Sequence, residues 1–223
     1  MAGRTYALLG ASGMVGGHLV GLLSADAAYA RGTLVGRRTL GREAPNVHEV
    51  VVDFDRPETY RGHLAVDDVF CCLGTTIKKA GSQAAFRKVD AEIPAAVGRE
   101  ARAAGAKQFL IVTAVGANAE SGVFYNRVKG EVEAALGAVD FPHGLKVFHP
   151  SLLLGDRAEV RPAERVAMAL MSATRPLFAG GLKRYRAIDA AGVAHAMRRA
   201  ALEGPLAPGV EVYEGERLFA MST

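Results

Sequence analysis

The strongest constraint on the fold is the alternation of short apolar runs with longer segments of helical period. The runs typical of β-strands cover residues 5–9, 32–35, 49–52, 69–73, 108–113 and 146–149. Helical patterns lie between several of them, for example over residues 13–24 and 94–104. Strands that are apolar throughout and separated by helices favour a parallel sheet with helices on both faces. We therefore predict an α/β fold with a doubly wound parallel sheet.

The length of the chain and the pattern after residue 150 indicate the domain organisation. The 223 residues, 50% of them hydrophobic, suffice for one sizeable core but would be cramped as two equal domains. After residue 150 the pattern changes to helices over 162–173 and 187–202, an irregular stretch over 176–185 and late strands over 210–213 and 217–221. We predict one domain over residues 1–223, in which residues 150–223 partly form a small cap over the carboxyl edge of the sheet. The apolar stripe of the 162–173 helix fits a core-facing role, a cap over the cleft or a homodimer contact.

Charge and cysteine content limit the partners and the compartment. The net charge is +4, and the basic residues are scattered without a run of five, so we predict a small-molecule partner, anionic in character, and no nucleic acid. Cys71 and Cys72 are neighbours in an apolar run, which suits neither a disulfide framework nor a redox motif and indicates reduced core residues in the cytoplasm. No apolar run is long enough to cross a bilayer, so we predict no membrane partner. The six histidines show no grouping typical of metal ligands, so we predict no metal site.

Three glycines, Gly10, Gly13 and Gly16, lie between the first predicted strand and the first predicted helix. Glycine permits a positive φ at the turn, lets backbone N–H groups approach a pyrophosphate and lets the helix pack on the strand. The helix N-terminus adds unsatisfied donors and the positive end of a dipole. The alternative is that these glycines are ordinary turn and packing residues. We predict a Rossmann fold whose loop contacts a dinucleotide through Gly10, Ser12, Gly13, Met14, Val15 and Gly16.

The end of the second strand distinguishes the two nicotinamide cofactors. An acidic residue there binds the ribose hydroxyls of NAD, whereas arginine favours the additional phosphate of NADP. This chain has Arg37 and Arg38 and no carboxylate, and two guanidinium groups can fork around a phosphate. We therefore predict NADP(H), with a solvated surface pair as the alternative. Further cofactor contacts are predicted at the ends of the third and fourth strands, at Asp53, Phe54, Leu73, Gly74, Thr75 and Thr76, although Thr75 and Thr76 also suit a plain turn.

The candidates for catalysis are Tyr125 and Lys129, which are four residues apart on a helix predicted over residues 124–136 and so share one face. This geometry suits a carbonyl reductase. Tyr125 would protonate the carbonyl oxygen as hydride leaves the nicotinamide, and cationic Lys129 would stabilise the phenolate and hold the nicotinamide ribose. Thr113, at the end of the fifth strand, offers a second hydrogen bond to the substrate oxygen. The spacing alone also arises by chance on amphipathic helices, but its position after the fifth strand favours the catalytic interpretation.

Several motifs in one order resemble the atypical short-chain dehydrogenase/reductases, above all the small subgroup typified by Tat-interacting oxidoreductase homologues. They are GASGMVG, LVGRR, VVDFD, FCCLGTT, the pair Val89-Asp90, YNRVKGEVEA and LLLGDR, within roughly residues 5 to 165. The resemblance implies a Rossmann fold, NADPH binding and a Ser/Thr–Tyr–Lys set at Thr113, Tyr125 and Lys129. It also implies cofactor contacts at Gly10, Ser12, Gly13, Val15, Arg37, Arg38, Leu73, Gly74 and the segment after Pro150. At the end of the sixth strand and just beyond it, we expect contacts from His149, Pro150 and Leu152.

Two departures from the family pattern bear on function. Members of this group usually have Ser-Ser after the fifth strand, where this chain has Thr113 and Ala114, and often Arg-Pro after the sixth, where it has His149 and Pro150. Our leading hypothesis is an NADPH-dependent reductase of a small carbonyl compound. Ala114 and the absence of a recognisable substrate signature after residue 150 favour a second hypothesis, a non-catalytic NADPH sensor. A nucleotide-sugar epimerase or dehydratase would normally need a larger C-terminal domain.

Overall fold

The computed structural model describes residues 3–41, 44–154, 186–204 and 206–223. The strands in this part of the chain are β1 (Arg4–Leu9), β2 (Tyr29–Gly36), β3 (Val47–Val51), β4 (Asp68–Cys71), β5 (Gln108–Val112), β6 (Leu145–His149), β7 (Leu153–Leu154), β8 (Ile188–Asp189) and β9 (Val210–Glu214). Seven of them form one sheet in the order β3-β2-β1-β4-β5-β6-β9, while β7 and β8 pair separately. Each neighbouring pair in the large sheet is parallel.

The helices over the described residues are α1 (Met14–Ser24), α2 (Ile77–Ala80), α3 (Gln83–Arg87), α4 (Ile93–Ala103), α5 (Phe124–Gly137), α6 (Ala190–Glu203) and α7 (Gly215–Met221). A π-helical turn, Lys88–Glu92, joins α3 to α4. The chain builds outward from β1 to β3 on one side and from β4 to β9 on the other, so the strand order reverses between β1 and β4. Open α/β sheets bind their ligands at the carboxyl edge of such a reversal.

Both faces of the sheet are covered, because alternate side chains of each strand enter opposite cores. Leu8 and Phe70 pack with α1 and α6 on one face, whereas Leu9 and Val69 pack with α4 and α5 on the other. All four side chains are fully buried. This arrangement confirms the prediction of a doubly wound parallel sheet.

The predicted strand over residues 217–221 is wrong, because these residues belong to α7. Gly215 has φ +52° and turns the chain directly after β9. The buried positions that follow, Gly215 and Leu218, are three residues apart, as in a helix. A run of five residues is too short for its period to distinguish helix from strand.

The C-terminal part of the chain contributes to the main sheet and to one of its layers. Strand β9 extends the sheet beside β6, and Met197 of α6 lies in the same core as Leu19 of α1. The helix predicted over 162–173 and the irregular stretch over 176–185 lie outside the described residues. Among the described helices, none has the length and apolarity that a bilayer span requires.

Candidate active site

The loop after β1 is built on glycines that tolerate no side chain. Gly10 has φ +80°, and a Cβ there would lie 2.4 Å from the carbonyl oxygen of Cys72 at the end of β4. A Cβ on Gly16 would lie 2.2 Å from the carbonyl oxygen of Gly10. These approaches hold the loop and the first turn of α1 against the ends of β1 and β4, at the point where the strand order reverses.

The N-terminus of α1 has the properties of an anion site. Gly13 is its N-cap and offers no side-chain oxygen to the free N–H groups, and the first turn carries no acidic residue. Ser12 and Gly13 are exposed, whereas Val15 is buried and Met14 is partly buried against the core that contains α1. Helix N-termini attract anions through their unsatisfied N–H groups and dipole. The exposed backbone of this loop therefore fits a pyrophosphate.

Arg37 and Arg38 follow directly after β2, at the same carboxyl edge of the sheet. Both are exposed, and neither forms an ion pair with a described residue. The carboxylate of Glu49 on β3 accepts hydrogen bonds from the backbone of Leu40 and Gly41, which anchors the loop beyond the arginines. Two guanidinium groups at one strand end suit a dianionic phosphate.

Asp53 and Phe54 lie beyond β3 and differ in exposure. Asp53 is exposed, and its carboxylate accepts a hydrogen bond from the backbone of Asp55. Phe54 is buried, with its ring 5.8 Å from the ring of Tyr60. Only Asp53 therefore presents its side chain at the surface of the sheet edge.

The turn after β4 contains Leu73, Gly74, Thr75 and Thr76, and two of these have defined partners. Thr76 is the N-cap of α2, where its hydroxyl accepts a hydrogen bond from the backbone N–H of Lys79 at 3.1 Å. This hydrogen bond gives Thr76 the plain turn function that the sequence offered as an alternative to a cofactor contact. The backbone N–H of Thr75 donates to Asp90 Oδ2 at 2.9 Å, so this turn is tied to the π-helical turn.

Helix α5 brings Tyr125 and Lys129 to the site one turn apart. The Tyr125 side chain is 37% exposed, and its ring lies 5.6 Å from the ring of Phe86. Lys129 is 4% exposed, and its ammonium forms an ion pair with Asp90 Oδ1 at 2.7 Å. The helix therefore combines a solvent-accessible phenol with a buried, charge-compensated ammonium group.

Thr113 follows β5 and carries an unsatisfied hydroxyl group. Its backbone N–H donates to the carbonyl oxygen of Phe148, whereas its buried Oγ1 has no hydrogen-bond partner among the described residues. A buried hydroxyl without a partner destabilises a fold. Among the described residues, Thr113 Oγ1 bonds to neither Tyr125 nor Lys129.

His149 ends β6 with both ring nitrogens facing carboxylates. Nε2 lies 2.9 Å from Glu133 Oε1 on α5, and Nδ1 lies 3.2 Å from Glu214 Oε2 on β9. Burial disfavours the charged imidazole, but the two carboxylates outweigh it and raise the pKa of His149 above its ordinary value. Of its neighbours, Pro150 is buried and Leu152 is exposed. The His149 ring therefore lies between α5 and β9.

Comparison with known proteins shows the family of this chain. Rat protein HTATIP2 is 37% identical over 185 residues, which cover 81% of this chain and 76% of the rat protein. Protein fmp52, mitochondrial, of Aspergillus fumigatus is 33% identical over 215 residues, which cover 92% and 91% of the two chains. No family model matches the chain.

The chain is an atypical short-chain dehydrogenase/reductase. The resemblance stated from the sequence motifs is thereby confirmed, and the chain belongs to a family of NAD(P)-binding oxidoreductases. The Bordetella bronchiseptica enzyme WbmH, solved in complex with NAD+, superposes with a TM-score of 0.70 over 96% of this chain and 76% of its own length. Because the two chains are only 14% identical, this likeness concerns the fold.

The expectation of a cytoplasmic location is overturned by the fungal relatives, whose names describe them as mitochondrial. The expectation rested on Cys71 and Cys72, which are indeed free thiols. Reduced cysteines argue against an oxidising compartment and do not distinguish one reducing compartment from another. The cysteine content therefore carried less information about location than we assigned to it.

Asp90 is a residue of the candidate site that sequence reasoning missed. It is 2% exposed, and burial raises the pKa of its carboxyl group while the Lys129 ammonium opposes that shift. In the sequence, Asp90 was recognised only as part of a family motif, without a role of its own. A signal was present, because Asp90 falls at helical spacing between Phe86 and Pro94, which are both buried. A carboxylate within an apolar helix face requires a buried partner.

Proposed function

We propose that this reductase family member transfers hydride from NADPH to a small carbonyl compound, with Tyr125 as the proton donor. The observation that carries the proposal is the pairing on α5 of an accessible phenol with a buried ammonium group one turn away. Thr113, with its unpartnered hydroxyl at the end of β5, supports it. All three side chains come from the carboxyl edge of the sheet, where this fold binds ligands.

The cofactor is assigned to the glycine loop and the arginine pair. The exposed backbone of Ser12 and Gly13 would bind the pyrophosphate, and Arg37 and Arg38 would bind the additional phosphate of NADP(H). Residues at the other strand ends would flank the rest of the molecule, namely Asp53, Leu73, Gly74, Thr75, Thr76, Pro150 and Leu152, whereas Phe54 and His149 would support that edge from within the fold. When bound, the cofactor supplies the hydride.

The protein's own groups would manage the proton and the developing charge. The Tyr125 hydroxyl would donate its proton to the carbonyl oxygen, so that one hydride and one proton convert the carbonyl to an alcohol. The positive charge of Lys129 would stabilise the resulting phenolate, and the remaining donors of its ammonium would bind the nicotinamide ribose. Thr113 would donate a hydrogen bond to the same carbonyl oxygen. General acid catalysis of this kind accelerates reactions by roughly 10² to 10⁴-fold.

The test measures NADPH oxidation with a panel of small aldehydes and ketones, using the absorbance of the reduced nicotinamide as the readout. We expect turnover with at least one compound, and Tyr125→Phe should lower kcat by roughly 10² to 10⁴-fold while the NADPH dissociation constant stays unchanged. Tyr6→Phe is the matched control, because the Tyr6 hydroxyl is buried without a partner among the described residues and Tyr6 pairs with Asp68 at the start of β4, away from the carboxyl edge. The proposal fails if no compound in the panel is reduced or if Tyr125→Phe retains full turnover.

One observation favours a second function, an NADPH sensor without catalysis. Ala114 occupies the position after Thr113 where members of this family usually carry a second serine, and it is buried. A sensor would bind NADPH tightly, change its protease sensitivity on binding and show no turnover with the panel. Turnover that depends on Tyr125 would exclude this alternative.

A further inference from the structure

Asp90 occupies an unusual backbone position in the middle of a long helical stretch. The π-helical turn Lys88–Glu92 interrupts the helix between α3 and α4, and Asp90 lies at its centre. Single π-turns within α-helices are rare and occur frequently at functional sites. The Asp90 carboxylate is 2% exposed. It lies between the turn after β4, which the proposed function assigns to the cofactor, and α5, which it assigns to catalysis.

The two carboxylate oxygens of Asp90 have different partners. Oδ1 binds the Lys129 ammonium at 2.7 Å, and Oδ2 accepts the backbone N–H of Thr75 at 2.9 Å. A single side chain thus joins α5 to the turn after β4. An ammonium group has three donors, so one hydrogen bond to Asp90 fixes its orientation and leaves two donors for other ligands.

Stability alone does not account for this buried pair. Two charges lose their hydration on burial, and apolar residues of similar volume are often as stabilising as a buried ion pair. The neighbouring helix positions, such as Phe86 and Val97, are apolar and fully buried. An apolar pair in place of Asp90 and Lys129 would continue this core, so the retained charges are better explained by the site at the sheet edge.

We infer that Asp90 is a positioning residue for Lys129, and that it fixes the ammonium and the turn after β4 in the arrangement that receives the nicotinamide ribose of NADP(H). The inference rests on the proposed function for the identity of the ligand. Asp90 acts through Lys129 and Thr75 and does not itself touch the cofactor. Its charge compensates the buried ammonium, and its second oxygen holds the turn.

The experiment measures NADPH binding by calorimetry in a double-mutant cycle of Asp90→Asn and Lys129→Met. Asparagine keeps an acceptor for Thr75 and removes the charge. We expect Asp90→Asn to weaken NADPH binding roughly tenfold, as the loss of one well-oriented charge-assisted hydrogen bond would. In the Lys129→Met background the same substitution should have almost no effect on NADPH affinity, because coupled residues are not additive. Additive losses would overturn the inference.

A second comparison separates positioning from simple stabilisation and does not depend on the folding of Lys129→Met. Asp68 is equally buried and is paired with Arg4, but it starts β4 at the opposite edge of the sheet. Asp68→Asn should lower the melting temperature and leave the NADPH dissociation constant of the folded protein unchanged. Asp90→Glu, which restores the charge, should recover part of the affinity. Equal effects of Asp90→Asn and Asp68→Asn on NADPH affinity would contradict the positioning role.

Turnover with the carbonyl panel distinguishes this inference from the proposed function. If Asp90→Asn shows the expected coupling with Lys129 but no compound is reduced, the positioning role stands and the catalytic assignment fails. If compounds are reduced through Tyr125 and the coupling is absent, the catalytic assignment stands and the role of Asp90 is refuted.

Discussion

Gly16→Ala tests the cofactor loop with a single added methyl group. The new Cβ would lie 2.2 Å from the carbonyl oxygen of Gly10 and 3.0 Å from Cα of Ala11. Both are backbone atoms, so they cannot rotate away as the end of a side chain would. A carbon and a carbonyl oxygen approach to about 3.3 Å, which means that the loop and α1 must separate by roughly 1 Å.

The effect on stability follows from two opposed contributions. Overpacking of this kind destabilises by about 1–3 kcal/mol, and alanine in place of glycine in a helix stabilises by about 1 kcal/mol. The net loss of about 0–2 kcal/mol corresponds to a fall in melting temperature of up to about 8 °C for a chain of this size. The loss of NADPH affinity should be larger, roughly ten- to a hundredfold, because misplaced N–H groups forfeit charge-assisted hydrogen bonds to phosphate.

Gly21→Ala is the matched control, because Gly21 lies in the same helix and a Cβ there would meet no atom within 4 Å. We expect it to raise the melting temperature by about 2–4 °C and to leave NADPH affinity unchanged. Calorimetric titration with NADPH and thermal unfolding followed by circular dichroism give both quantities. Wild-type NADPH affinity in folded Gly16→Ala, or an equal loss in Gly21→Ala, would refute the assignment of the pyrophosphate to this loop.

Two further predictions concern α5. Burial opposes the charged form of His149, but Glu133 and Glu214 raise its pKa above 6.5, so its contribution to stability is complete below that pH and declines as pH rises through the raised value. The melting-temperature advantage of wild type over His149→Gln should therefore shrink as the pH rises above about 6.5, and a constant difference would contradict this. Gly130→Ala would place a Cβ 2.1 Å from the backbone nitrogen of Ala119 in the preceding loop and should lower the melting temperature by up to about 8 °C, whereas Gly137→Ala, with only a 3.5 Å contact, should not lower it.

The fold was predictable where the pattern of burial is strong. Residues 108–113 were predicted as a strand and form β5, Gln108–Val112, because an apolar run buried on both faces has one natural place in a parallel sheet. Helix α1 was predictable because Leu19 and Leu23 repeat at helical spacing. The helix over residues 217–221 was not predictable, because a short apolar run fits the period of a helix and that of a strand. Only the turn at Gly215 decides between the two.

The candidate site was predictable only in its local parts. The glycine loop could be identified because Gly10 and Gly16 are needed for backbone reasons that leave a fixed spacing in the sequence. The ion pair of Asp90 with Lys129 could not, because it depends on how the π-helical turn packs against α5. The same holds for His149, whose carboxylate partners come from two other elements of the fold.

The most direct test of the account compares NADPH with NADH in calorimetric titrations of wild type and of Arg37→Ser/Arg38→Ser. Arg31→Ser is the control, because Arg31 is an exposed arginine near the other end of β2. We expect wild type and Arg31→Ser to bind NADPH at least roughly tenfold more tightly than NADH, as one charge-assisted hydrogen bond to the additional phosphate requires. The double variant should lose this preference through weaker NADPH binding alone. Equal wild-type affinities, or equal losses for both cofactors, would contradict the assignment of NADP(H) to this site.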